Sequence, residues 1–176
     1  MKSISEKKVI VKGSAEFEKL IFQDFCEWLK IELGIEKISK DILLNYKKMP
    51  KHIYGDVDLK SVLDDSKKEI KINLDRTFGT SALLKVIAHE MTHIEQIYNM
   101  KLGVEDEWMT WNNNKIITVV EYKKNKDFKK HRDLPWESQA YQNAEIYPNK
   151  YRQTDRLEKL AESDPTLKYI VDNNLL

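Results

Sequence analysis

Apolar residues recur along this chain with two different periods, and the switches between them lay out its elements. From Ser14 to Leu33 the positions Phe17, Leu20, Ile21, Phe25, Trp28, Leu29 and Ile31 share one helical face, with Ser14 as N-cap and Gly34 as stop signal. Ile38 to Tyr46 then reads as a strand, and Glu69 to Asp75 alternates strictly, turning Ile70, Ile72 and Leu74 to one side. Between them Pro50, Gly55, Asp56, Asp58, Asp64 and Asp65 predict a loop or a weak strand. Past Gly79, with Thr80 or Ser81 as cap, a second long helix is expected to reach about Asn99. Leu83, Leu84, Ile87, Met91, Ile94 and Tyr98 line one side of it and Ala82, Val86, His89 and His93 another, the pattern of a helix enclosed on two sides. Trp108 to Trp111 and Ile116 to Val120 predict a hairpin with Asn112, Asn113 and Asn114 at its tip. Pro135 opens another helix, which Pro148 is expected to end, and Tyr151 to Leu176 predicts one or two short helices.

These elements amount to an α+β chain, read as a single domain over residues 1–176 with its motifs in 68–147 and a helical tail over 149–176. The 176 residues carry 30 Lys and Arg against 29 Asp and Glu, a net charge of +1, which argues against a dedicated nucleic-acid binder. The run Lys123 to Arg132, with Phe128 as a stacking candidate, keeps nucleic acid as a minor alternative to the expected solvated loop. The single cysteine, Cys26, sits among apolar neighbours, excludes a cysteine-rich finger, and points to a reducing compartment. No run of apolar residues is long enough to span a bilayer, and the first residues have no secretory pattern, so the cytoplasm is the expected location.

The chemistry concentrates in His89-Glu90-Met91-Thr92-His93. Residues four apart on a helix project from one face, so two imidazoles can aim at one ion, a Zn2+ site being the expectation. Glu90 stands about 100° round the helix from His89, placed as a general base for a water at the metal. Gln96 and Asn99 occupy the positions where some zinc proteases carry the glycine and third histidine of an extended motif, so that class is excluded. A third ligand must come from elsewhere. Glu137, at the start of the Pro135 helix, is the leading candidate, and Ala140 and Ala144 would let that helix approach closely; Glu145 and His131 compete for the role. For polarising a substrate carbonyl, His131 ranks ahead of Tyr141 and Tyr147. The strand before the active helix suggests an edge on which Ile72, Asn73 and Leu74 would pair with an extended peptide or protein substrate.

The His-Glu-Met-Thr-His helix, the Trp111-to-Lys115 turn and Leu134-Pro135-Trp136-Glu137-x-x-Ala140 together resemble the small single-domain gluzincin metallopeptidases, minigluzincin-type and SprT-like proteins of bacteria and phages. The resemblance covers about Lys68 to Tyr147. It implies a zincin-like fold, in which a small mixed sheet packs on the active helix beside a second, glutamate-bearing helix. It also implies zinc at His89, His93 and Glu137, and peptide hydrolysis with Glu90 as base. Tyr141 stands where larger gluzincins carry an aspartate that orients a histidine, and Lys130, His131 and Arg132 stand where a tyrosine is common.

Overall fold

The computed structural model describes residues 8–51, 53–124 and 128–173. Its elements, in chain order, are β1 (Val9–Lys12), α1 (Glu16–Glu32), β2 (Asp41–Lys47), β3 (Gly55–Val57), α2 (Leu59–Leu63), β4 (Glu69–Asp75) and α3 (Thr80–Tyr98). They continue with β5 (Leu102–Glu105), β6 (Trp108–Trp111), β7 (Asn114–Thr118), α4 (Val119–Lys124), α5 (Phe128–Arg132), α6 (Pro135–Arg152), α7 (Arg156–Ala161) and α8 (Pro165–Asp172). The architecture is therefore α+β. No helix among the described residues is long and apolar enough to cross a membrane.

The larger sheet has the order β1-β2-β4-β3, with β1, β2 and β4 parallel and β3 antiparallel to β4. Ile42, Leu44, Ile70, Ile72 and Leu74 are almost wholly buried and meet Phe22, Phe25 and Leu29 of α1 and Leu83, Leu84, Ile87 and Met91 of α3 in one core. Cys26 lies in that core, and burial pushes its thiol pKa up, which suits an inert apolar role. The smaller sheet, β5-β6-β7, is antiparallel and closes a second apolar cluster of Leu102, Met109 and Trp136. Its tip is a two-residue turn in which Asn112 and Asn113 take φ of 47° and 66°, a left-handed pair that Asn tolerates well.

Several expectations need correction. The strand carrying Ile72, Asn73 and Leu74 is interior, not an edge: these residues lie opposite Val57, Asp56 and Gly55 of β3, and Ile72 and Leu74 are fully buried. They are therefore closed to substrate backbone, and on this side of the sheet the edge strand is β3. Gly55 permits this arrangement, because a Cβ there would overlap Val86 Cγ1 of α3 and stand 3.0 Å from the Asn73 carbonyl oxygen. Neither Ser14 nor Thr80 nor Ser81 is a cap. Ala15 and Gly79 take the extended N-cap conformation, while the Thr80 hydroxyl donates to Glu18 and the Ser81 hydroxyl accepts from Arg152.

Val119 and Val120 open α4 instead of extending the hairpin. Thr118 and Glu121 form the reciprocal hydrogen bonds of a capping box there, and these override the β-branched preference. Pro148 does not end α6. The ring removes only the one donor that would serve the Ala144 carbonyl, and Tyr151, fully buried in the core, holds the last turn in place. Tyr98 is exposed rather than in the core face of α3.

Candidate metal centre

Helix α3 carries His89, Glu90 and His93 because its two apolar sides hold it between the sheet and α6. Ala140 and Ala144 of α6 are buried against it, and Asn143 Nδ2 reaches Thr92 Oγ1 at 3.2 Å across the contact. This packing delivers Glu137, in the first turn of α6, to the two histidines.

The ligand-type atoms of His89, His93 and Glu137 lie within 4.8 Å of one another. The Nε2 atoms of His89 and His93 are 3.1 Å apart, and Glu137 Oε2 stands 3.3 Å from the first and 3.6 Å from the second. A tetrahedral ion with bonds of about 2.0–2.1 Å needs its ligand atoms about 3.3–3.4 Å apart, so this triangle has the size of one face of such a site. Glu137 Oε2 is buried and lacks a hydrogen-bond partner. A buried carboxylate oxygen that faces two imidazole nitrogens and makes no hydrogen bond is a donor suited to a cation. The residues fit a divalent ion.

The supporting groups point the same way. Gln96 Nε2 donates to the Trp136 carbonyl at 2.9 Å and to Gln139 Oε1 at 3.0 Å, which turns Gln96 Oε1 toward His93 Nδ1, 2.9 Å away. Because a carbonyl can only accept, the amide has one orientation and His93 Nδ1 must donate. In neutral His93 the lone pair then sits on Nε2, facing the cluster. The second oxygen of Glu137, Oε1, accepts from the Tyr122 hydroxyl at 3.0 Å and lies 3.2 Å from His131 Nε2. Burial opposes the charge on Glu137, yet the three surrounding imidazoles outweigh it and hold the carboxyl well below the usual carboxylate range. Burial likewise disfavours protonated His93, but Glu137 and Glu90 reverse this and push its pKa up to about 9. Glu90 is 7% exposed, and burial foremost raises its carboxyl pKa.

The structure thus brings together His89, His93 and Glu137 and sets Glu90 beside them. His131 faces the outer oxygen of Glu137 and not the cluster itself, while Glu145 is turned away into an ion pair with Lys85 at 2.6 Å. Tyr141 packs its ring on His89, with centroids 4.7 Å apart. Tyr147 instead packs on Trp28. Sequence reasoning missed Tyr122, whose capping-box signal Thr118-x-x-Glu121 would have placed it on a helix, and it read Gln96 only as an absent ligand. Of the basic run, Asn125 to Asp127 and the side chain of Phe128 lie outside the described residues, and with them the stacking expectation. No family model, curated protein or solved structure matches this chain.

Proposed function

We propose that the protein is a zinc-dependent peptidase of the small gluzincin type with a zincin-like arrangement of sheet, active helix and glutamate helix. The observation that carries this reading is the triangle of His89 Nε2, His93 Nε2 and the partnerless Glu137 Oε2, with Glu90 next to it. Two imidazoles and one carboxylate are a donor set suited to zinc, whose Lewis acidity would sharpen a water's acidity and polarise a peptide carbonyl.

The chain's own groups supply the rest. Glu90, next to His89 on α3 and buried, takes the proton that the attacking water loses and hands it to the departing amine nitrogen. Tyr141, against His89 and with its phenol pKa raised chiefly by burial, stays protonated and is better placed than His131 to donate to a carbonyl oxygen. His131 and Tyr122 hold the outer oxygen of Glu137 and so fix the carboxylate. Strand β3 has one free edge and rests on α3 at Val86, one helical turn before Glu90. An extended peptide added to that edge would run alongside the cluster.

The test is Glu90→Gln. It should retain the metal and the fold and lose hydrolysis by several orders of magnitude across a broad peptide library, because the amide still bonds water but cannot take its proton. Equal turnover by parent and variant would remove Glu90 from the reaction. No turnover by either would favour a metal-binding module without catalysis.

A further inference from the structure

We infer that the groove beside the cluster recognises a substrate carboxylate, with Arg132 as the specificity-determining residue. This rests on the peptidase reading for its substrate class, but its binding arm can be tested separately. The groove, of about 520 Å³, is lined by Arg132, Ser138, Tyr141, Gln142, Glu145 and Ile146. That volume suits one or two residues of a bound chain.

Three observations connect it to the site. The Arg132 guanidinium carbon lies 4.9 Å from the centroid of the Tyr141 ring, and the same ring packs edge-on against His89. Arg132 is therefore within about 10 Å of the His89 ring, the reach of about three extended residues. Among the three cluster residues, His89, on which Tyr141 packs, has the most exposed side chain, 15% against 9% for His93 and 2% for Glu137. The charges in the lining do not cancel evenly: Glu145 is held by Lys85 at 2.6 Å, whereas Arg132 has no ion pair among the described residues. The groove thus presents one cation that sits over an aromatic ring and has no acidic partner among the described residues.

A guanidinium in this setting selects a carboxylate, which it can bind through two parallel hydrogen bonds. Ser138 and Gln142 add neutral hydrogen-bonding groups to the lining. The carboxylate could be an acidic side chain within about three residues of the cleaved bond or the C-terminus of a short peptide, because both present the same group at that reach.

The test uses zinc-loaded parent, Arg132→Gln and Arg132→Lys with peptides that differ only in Glu or Gln near the cleaved bond and in a free or amidated C-terminus. The parent should favour the carboxylate-bearing partner by about tenfold in kcat/KM, mostly through KM. Arg132→Gln should bring the preference within about twofold and Arg132→Lys should restore part of it. A Glu preference assigns the side chain, and a preference for the free acid assigns the C-terminus. The same pairs are titrated calorimetrically into Glu90→Gln. If the parent cleaves nothing, the peptidase reading fails, and discrimination in binding, with its loss in Glu90→Gln combined with Arg132→Gln, still decides the role of Arg132. Equal treatment of both peptides by the parent, or a preference that survives Arg132→Gln, overturns the inference. So does a variant that loses only affinity for a single-stranded oligonucleotide, which would assign Arg132 to a phosphate backbone.

Discussion

Replacing Gln96 by Leu separates an orienting role from a merely space-filling one. The side chain is fully buried, and its amide ties His93 on α3 to Trp136 and Gln139 on α6 through bonds of 2.9, 2.9 and 3.0 Å. Leucine is close in volume but leaves the His93 Nδ1 hydrogen without an acceptor, a cost of about 1–3 kcal/mol. At about 2–4 °C per kcal/mol for a chain of this size, the melting temperature of metal-free protein should fall by roughly 2–12 °C. The tautomer that aims the His93 lone pair at the cluster is also released, so zinc affinity should drop about 10–100-fold. Gln96→Glu is the informative companion. Its carboxylate still accepts from His93, so affinity should stay within a few fold of the parent, while an oxygen facing the Trp136 carbonyl lowers stability. The assays are competition with a chromophoric chelator and thermal unfolding with and without EDTA. Zinc binding by Gln96→Leu within about twofold of the parent would refute the orienting argument.

Two further substitutions probe the frame of the site. Glu137→Ala should weaken zinc by an order of magnitude or more in the chelator assay, whereas Glu145→Ala, which removes only the exposed pair with Lys85, should leave affinity unchanged. Gly55→Ala should destabilise the protein by about 1–3 kcal/mol in denaturant unfolding, because its methyl group would overlap Val86 Cγ1; a neutral outcome would show that β3 does not rest on α3 as described.

What the chain reveals by itself follows the range of the physics involved. The α3 pattern is local, so the shared face of His89 and His93 and the neighbouring Glu90 are legible from spacing alone. Glu137 is legible at one remove, since Pro135 marks a helix start and Ala140 and Ala144 mark a close-packing face. Strand β1 is four residues long and is held by parallel pairing to β2, too short a run to show a period of its own. Strand β3 hides in a Gly- and Asp-rich stretch because its reason for being a strand is the β4 edge it covers, and covering it closes Ile72, Asn73 and Leu74 to substrate. The capping box Thr118-x-x-Glu121 places Tyr122 on a helix but says nothing of its role, and Gln96 carries no motif; the importance of both comes from contacts made 15 and 40 residues along the chain. The persistence of α6 through Pro148 goes with the burial of Tyr151 in the core, a long-range contact that a helix-breaking rule does not see.

The most direct measurement of the central claim is metal content after stripping. Parent, His93→Ala and Glu137→Ala are treated with chelator, offered equimolar zinc, desalted into metal-free buffer and analysed by plasma mass spectrometry alongside circular dichroism. The account predicts close to one zinc retained per folded parent chain and little in either variant at unchanged helix content, because each lacks one of three protein ligands. Folded parent that retains no zinc, or variants that retain as much as the parent, would contradict it.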